Sequence, residues 1–188
     1  GLPEDTAEIR LHINSPGGEI WDAMAIVNQL RRHPARVVAV VDGIAASAAS
    51  VIAATADETV MGLGAQLMVH DAWGIAIGDE ADMIAAGARL SKDSNALAQV
   101  YAQKAGGTVD EWRDLMRAET WFYGAEAVEA GLADRAEGGD ASQSQARAEV
   151  FDMSLFRFGG RESAPAPPVA RAAVALAPQI PVSSEPGN

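Results

Sequence analysis

Apolar and polar residues alternate near the start of the chain, from Glu8 to Asn14. A period of two is typical of a strand with one face turned inward. Residues 15–18, Ser-Pro-Gly-Gly, interrupt the alternation, and the apolar residues within 20–32 then fall on one stripe of a helix. The pattern predicts a strand, a tight loop and a helix.

A second strand and helix follow. Residues 37–41 form a continuous, valine-rich apolar run, which is typical of a strand buried on both faces. Gly43 then leads into a segment of small residues, 45–54. Two strand–helix units in succession indicate a layered α/β fold with parallel strand pairing.

The middle of the chain predicts two short strands, at 58–61 and 66–70, so that His70 stands at a strand end. A long helix over 79–103 follows, ended by the glycine pair 106–107. Its apolar stripe has near-heptad spacing and consists of Met83, Leu90, Leu97 and Tyr101.

Two shorter helices complete the predicted elements. Residues 108–111, Thr-Val-Asp-Glu, have the pattern of a capping box that opens a helix through Arg117. A last helix over 125–130 is expected to stop at Gly131.

The composition changes beyond this point. We expect one folded domain over 1–135, a weakly ordered extension over 136–158 and a Pro/Ala-rich disordered tail or linker over 159–188. Four residues stand out in the extension and fit either a short docking element or a frayed domain end: Phe151, Leu155, Phe156 and Phe158.

Composition removes several classes of function. The chain has no cysteine, which excludes disulfides and thiolate catalysis and makes the cytoplasm the expected location. A net charge of −12 opposes binding to nucleic acid. The histidines, His12, His33 and His70, have no metal-ligand spacing, so we expect no metal and no cofactor. No apolar run is long enough to span a membrane, and the start has no export signal.

Two segments have the residue types that acyl transfer requires. Ser47 lies in a small-residue stretch at a strand-to-helix junction, where a substrate backbone can approach a hydroxyl. The glycine pair at 17–18 follows a strand and exposes backbone N–H groups without a Cβ in the way. Alone, the serine also fits a helix cap and the glycines also fit a simple turn.

Four collinear segments together carry a family resemblance: 13–18 (Ile-Asn-Ser-Pro-Gly-Gly), 43–48 (Gly-Ile-Ala-Ala-Ser-Ala), 68–70 (Met-Val-His) and 125–134 (Ala-Glu-Ala-Val-Glu-Ala-Gly-Leu-Ala-Asp). In order and spacing they resemble the ClpP peptidase family across about 8–134. The resemblance implies a ClpP/crotonase-like layered fold of repeated β-β-α units with a long handle helix.

The same resemblance implies a serine endopeptidase. Ser47 would be the nucleophile and His70 the general base, and the backbone N–H groups of Gly18 and Ala48 would form the oxyanion hole. The family pattern expects an aspartate before the last helix, where this chain has Glu119. Asp71 and Asp114 are alternatives for the third position.

The resemblance also implies partners. The family assembles into stacked rings that enclose the active sites and act on protein or peptide substrates. No P-loop is present, so ATP dependence would come from a separate AAA+ unfoldase. The resemblance also implies an amino-terminal axial loop and first strand, which we expect this chain to lack or to have lost. The short start, the acidic balance and the Pro/Ala tail also resemble phage-encoded ClpP-like head maturation proteases.

Two other functions stay open at this point. A crotonase-like acyl-CoA enzyme shares the layered fold and the paired N–H groups, although it usually works through carboxylates. A non-catalytic ring or scaffold subunit is favoured by the departure at Glu119. Cleavage of a peptide and labelling of a serine would distinguish the peptidase from both.

Overall fold

The computed structural model describes residues 3–138 and 151–168. The elements in chain order are β1 (Glu8–Ser15), α1 (Ile20–Arg32), β2 (Arg36–Ala46), α2 (Ala48–Ala54), β3 (Glu58–Met61), β4 (Gln66–Val69), α3 (Glu80–Ala105), α4 (Val109–Ala118), β5 (Thr120–Tyr123), α5 (Gly124–Glu129) and β6 (Arg135–Ala136). The α/β fold class expected from the sequence is confirmed.

Strand β2 is the centre of the sheet. Its first half pairs in parallel with β1 on one side and with β3 on the other, from Val38↔Glu58 to Val41↔Met61. Its last residues pair in parallel with β4, from Ile44↔Gln66 to Ala46↔Met68. The carboxyl ends of β2 and β4 therefore meet at one edge of the sheet.

The long helix α3 divides into two parts. Asp79 caps its start through a capping box with Asp82, and it ends at Gly106, whose φ of +78° suits glycine. Leu97 and Tyr101 are buried in the core, whereas Met83, at the other end, is exposed. The predicted apolar stripe is thus a core contact only over the second half of α3.

Strand β5 was not among the elements that the sequence pattern predicted. It pairs antiparallel with β4, and its Trp121 and Phe122 are fully buried. The β-branched and aromatic run Thr-Trp-Phe-Tyr is a strand signal, but four residues are too short for a period to be read. Glu119, directly before β5, therefore lies beside the sheet and is buried.

Residues 151–168 agree with the docking alternative for Phe151, Phe156 and Phe158, whereas Leu155 is exposed. Their apolar side chains contact one end of the sheet: Phe151, Met153, Phe156, Phe158 and Ala164 lie against Ile44, Ala46, Met68 and Trp121. The spacing of these residues follows neither helical nor strand periodicity, so the sequence did not predict which surface they contact. The rest of the predicted extension and tail lies outside the described residues, and the domain boundaries stay a prediction.

The described helices offer no membrane span: none of those within 3–138 and 151–168 is both long and apolar enough to cross a bilayer.

Candidate active site

Ser47 occupies a sharp turn between β2 and α2. Its backbone has φ 53° and ψ −125°, which is a rare conformation for a residue with a side chain. Its N–H donates to the carbonyl of Met68 on β4 at 3.0 Å, which fixes the turn to the neighbouring strand. Strain of this kind costs about 1–3 kcal/mol and persists only where the surrounding structure imposes it.

His70 follows directly after β4 and faces this turn. Its Nε2 lies 2.6 Å from Oγ of Ser47. In the tautomer with the proton on Nδ1, Nε2 accepts the hydroxyl proton of the serine. The two residues that the sequence singled out as nucleophile and base are therefore in hydrogen-bond contact.

The surroundings of His70 favour its neutral form. Burial lowers the pKa of the imidazole below its ordinary value of 6.5, while the nearby carboxylates of Glu119 and Asp71 oppose this shift and raise it. Burial is the largest of these effects, so His70 is neutral at pH 7. A neutral imidazole can accept a proton, which a general base must do.

The loop after β1 approaches Ser47 closely. Gly17 has φ +100°, and a Cβ there would lie 2.7 Å from the Ala46 carbonyl oxygen and 2.7 Å from the Ser47 Cβ. Gly18 is different, because a Cβ added there would meet no atom within 4 Å. The first glycine is thus required by packing against the serine, and the second leaves open space beside it.

Gly18 and Ala48 lie on either side of this junction. Gly18 lines the groove that contains Ser47 and His70, and both Gly18 and Ala48 line an adjoining depression. Ala48 is the first residue of α2, where the backbone N–H has no acceptor within the helix. The two residues expected to supply the oxyanion hole are therefore neighbours of the serine.

The carboxylate of Glu119 is held by donors other than His70. Oε1 accepts from the Trp121 indole at 3.2 Å and from the Phe158 N–H at 2.9 Å, and Oε2 accepts from the Arg157 N–H at 2.7 Å. Among the described residues, no hydrogen bond joins this carboxylate to the imidazole. Its effect on His70 in the structure is electrostatic, through the rise in pKa given above.

The other two candidate carboxylates have partners of their own. Asp71 lies 2.9 Å from Arg113 Nη1, at an angle that makes this an ion pair without a hydrogen bond. Asp114 is exposed and pairs with Arg117 one turn along α4. Asp71 therefore contributes charge near His70, and Asp114 is occupied at the surface.

The comparisons with known proteins bear on this site. The family model described as Clp protease matches residues 2–137. Proteins named "ATP-dependent Clp protease proteolytic subunit" from Streptococcus pyogenes serotype M5 (strain Manfredo) and serotype M49 (strain NZ131) are 31% identical over 135 residues, which is 70% of this chain and 69% of each relative.

The chain belongs to the Clp protease family. All the residues expected to take part in the chemistry lie within the part that the Clp protease model matches: Gly18, Ser47, Ala48, His70 and Glu119. Residues 151–168 lie beyond it, although they contact the same site.

The Clp protease fold here supports Ser47 through residues that sequence reasoning missed. Ser50 is fully buried, and its Oγ donates to the Ser47 carbonyl at 2.6 Å. The Tyr101 hydroxyl lies 2.8 Å from the same Oγ. A chain of hydrogen bonds thus runs from α3 to the turn at Ser47. The apolar stripe that placed Tyr101 on a core face gave no signal for its hydroxyl.

Ser94 and Asn14 hold the segments on either side of the site. Ser94 Oγ on α3 accepts from the Ala72 N–H at 2.9 Å, which fixes the chain just after His70. Asn14 Oδ1 accepts from the Ile44 N–H at 3.2 Å and so joins the end of β1 to β2. Asn14 belongs to the motif that carries the resemblance, but the motif alone did not indicate this contact.

An open groove runs past Ser47 and His70. It is lined by the loop 16–21, by residues 72–75, by one face of α3 and by Asp152, Leu155 and Phe156 from the C-terminal segment. Trp21, Trp73 and Ile75 on its walls are exposed apolar residues. The groove has the size and the apolar character to hold an extended peptide.

The remaining histidines have other partners. His12 Nδ1 lies 3.0 Å from Asp42, and His33 contacts the Pro3 carbonyl and the Ala35 N–H. Within residues 3–138 and 151–168, no three His, Asp or Glu side chains are grouped closely enough to hold a metal ion.

Proposed function

We propose that this Clp protease family member is a serine endopeptidase that hydrolyses peptide bonds in proteins, with Ser47 as nucleophile and His70 as general base. The observation that carries the proposal is the 2.6 Å contact between Ser47 Oγ and His70 Nε2. The lowered pKa of His70 supports it, since the base is neutral at pH 7.

The reaction would proceed in two halves. Ser47 Oγ attacks the peptide carbonyl carbon while its proton passes to Nε2 of His70, and the tetrahedral intermediate forms. His70 then returns this proton to the leaving amine as the C–N bond breaks, which leaves an acyl-enzyme. Water attacks the acyl carbon, His70 takes the proton of the water, and Ser47 regains its hydroxyl proton as the acid product leaves.

The oxyanion of each intermediate would be bound by the N–H groups of Gly18 and Ala48. Their position beside Ser47 supports this role, as does the place of Ala48 in the first turn of α2, where backbone N–H groups have no acceptor within the helix. In such a site, each donor typically contributes about 2.7–4 kcal/mol to transition-state stabilisation. The close approach of Gly17 to Ser47 keeps this loop next to the nucleophile.

Glu119 would stabilise the imidazolium that forms when His70 takes the proton. Its burial strengthens the electrostatic interaction, and three donors hold the charged form in place. Its position in the sequence agrees with the third member of the family pattern. In this arrangement the acid acts through charge and position.

The family points to assembly as a self-compartmentalised oligomer of stacked rings, with the exposed first half of α3 as a contact surface. Met83 and Ile84 are exposed apolar residues on that half. A separate AAA+ unfoldase is proposed as a partner for folded substrates, because the relatives are named ATP-dependent. A location in the cytoplasm stays a prediction from the absence of cysteine, and a role in phage head maturation stays a prediction from the resemblance to phage-encoded ClpP-like proteases.

A protein-cleavage assay tests the proposal. Purified wild-type chain and the Ser47→Ala variant are incubated with casein and with fluorogenic peptides. Ser91→Ala is the matched control, because Ser91 is exposed on α3 and does not line the groove. We expect cleavage by wild type and control and none by Ser47→Ala. Cleavage that survives Ser47→Ala would refute the assignment.

A non-catalytic ring or scaffold subunit is the second candidate. The observation that favours it is the absence, among the described residues, of a hydrogen bond between Glu119 and His70. An assembled oligomer that fails to cleave peptides would support this candidate. Turnover of an acyl-CoA would instead support the crotonase-like alternative.

A further inference from the structure

The C-terminal segment 151–168 lies beyond the part of the chain that the Clp protease model matches, yet it reaches the candidate active site. It provides two of the three hydrogen bonds to the Glu119 carboxylate, one to each oxygen. Backbone N–H groups donate both hydrogen bonds. These bonds therefore depend on the backbone conformation of the segment and not on the side chains at 157 and 158.

The same segment packs directly on the base. The ring of Phe156 meets the His70 ring edge-on, with centroids 5.6 Å apart, and meets Trp121 edge-on at 6.2 Å. Trp121 in turn donates its indole N–H to Glu119. The imidazole and the acid are therefore both contacted by residues 156–158.

The segment is anchored away from the site. The Arg161 guanidinium donates to both oxygens of Glu126, at 2.6 and 2.7 Å, and lies over the Tyr123 ring. The backbone N–H of Arg161 also donates to Oε1 of Gln66 at 2.9 Å. A bidentate, partly buried ion pair is a strong and directional contact. This anchor fixes where residues 156–158 lie.

We infer that residues 156–158 form a positioning element of the active site, which holds the Glu119 carboxylate and the His70 ring in place for catalysis. The inference rests on the proposed peptidase function and extends it to residues outside the family core. Without the N–H groups of Arg157 and Phe158, one indole donor would remain for a buried carboxylate, whose orientation towards His70 would then be less restricted.

A matched pair of variants at Arg157 separates the N–H from the side chain. Arg157→Pro removes the backbone donor, whereas Arg157→Ala retains it and removes only an exposed side chain. With a fluorogenic peptide, we expect Arg157→Pro to lower kcat by roughly tenfold with KM within about twofold, because the groove remains and the acid is displaced. Arg157→Ala should stay within about twofold of wild type.

A second pair covers the case in which proline prevents folding. Arg161→Gln weakens the anchor at Glu126 without touching the catalytic residues, and Arg117→Gln removes an exposed arginine from a surface ion pair. We expect Arg161→Gln to lower kcat several-fold and Arg117→Gln to have no effect. Thermal unfolding and gel filtration establish that each variant is folded and assembled.

The outcomes separate the inference from the function on which it rests. Equal kcat values for active wild type, Arg157→Pro and Arg161→Gln would overturn the inference and leave the peptidase assignment intact. A higher kcat in Arg157→Pro would also overturn it, since the segment would then restrain the acid from reaching His70. A folded, assembled wild-type protein without peptidase activity would refute the proposed function and the inference with it.

Discussion

Oγ of Ser47 and Nε2 of His70 lie 2.6 Å apart although 23 positions separate the two residues in the chain. The contact follows from the pairing of β2 with β4, in which Ala46 stands beside Met68. Parallel neighbours end at the same edge of a sheet, so the residues that come directly after them meet. The site is thus a product of sheet register.

The pH dependence of peptide cleavage tests the state of His70. Burial lowers the pKa of the imidazole, and only the neutral ring accepts the serine proton. The rate should therefore rise with pH through a midpoint below 6.5. A pH profile of kcat/KM measures this midpoint. A midpoint above 6.5 would contradict the described environment of His70.

Glu119→Gln tests the charge of the third residue. The glutamine amide keeps one acceptor oxygen, but its NH₂ group faces a backbone N–H that also donates. The substitution also removes the negative charge that raises the pKa of His70. We expect kcat to fall by roughly 10- to 100-fold, less than the ~10⁴-fold seen where the acid bonds directly to the imidazole. The midpoint of the pH profile should also move to lower pH.

Asp114→Asn is the matched control for this variant. Asp114 is an exposed carboxylate on α4 that pairs with Arg117 and lies outside the site. Its loss should leave kcat within about twofold of wild type. If Asp114→Asn impaired cleavage and Glu119→Gln did not, the assignment of the acid would be wrong.

Gly17→Ala tests the packing of the loop against the nucleophile. The new Cβ would lie 2.7 Å from both the Ala46 carbonyl oxygen and the Ser47 Cβ, so the loop or the turn must shift. A displacement of about 1 Å at a reacting group can cost roughly 100-fold in rate, and we expect a loss of this order in kcat. Gly138→Ala, where nothing lies within 4 Å, is the control and should be active.

Tyr101→Phe tests the chain of hydrogen bonds beneath the turn at Ser47. It removes the hydroxyl 2.8 Å from the Ser50 Oγ while the ring stays in the core. We expect the free energy of unfolding to fall by about 1 kcal/mol, the usual net value of a buried hydrogen bond. Urea unfolding measures this difference. An unchanged unfolding free energy would mean that the hydroxyl contact does not stabilise the fold.

The sequence was sufficient to predict the elements that carry Ser47 and His70, the proposed catalytic pair. The alternation before Asn14 and the valine run at 37–41 mark β1 and β2, because each pattern is local and long enough to read. The small residues after Gly43 placed Ser47 at the strand-to-helix junction. The helix over 20–32 and the capping box at 108–111 agree with the structure for the same reason.

The surroundings of Glu119 could not be predicted in this way. Its donors at 157 and 158 lie 38 and 39 positions further along the chain, in a segment without periodicity. Strand β5 is only four residues long, so its antiparallel pairing with β4 depends on tertiary packing. Contacts between backbone groups distant in sequence leave no signal in residue type. The aromatic residues at 151, 156 and 158 indicated a docking element, but not that its backbone reaches Glu119.

The most direct test of the central claim is reaction with a fluorophosphonate, followed by peptide mapping in a mass spectrometer. The assembled wild-type chain is compared with Ser47→Ala and His70→Ala. We predict one adduct, on Ser47, that is absent from Ser47→Ala and strongly reduced in His70→Ala. An adduct on Ser50, or none on a folded and assembled wild-type chain, would contradict the assignment of Ser47 as an activated nucleophile.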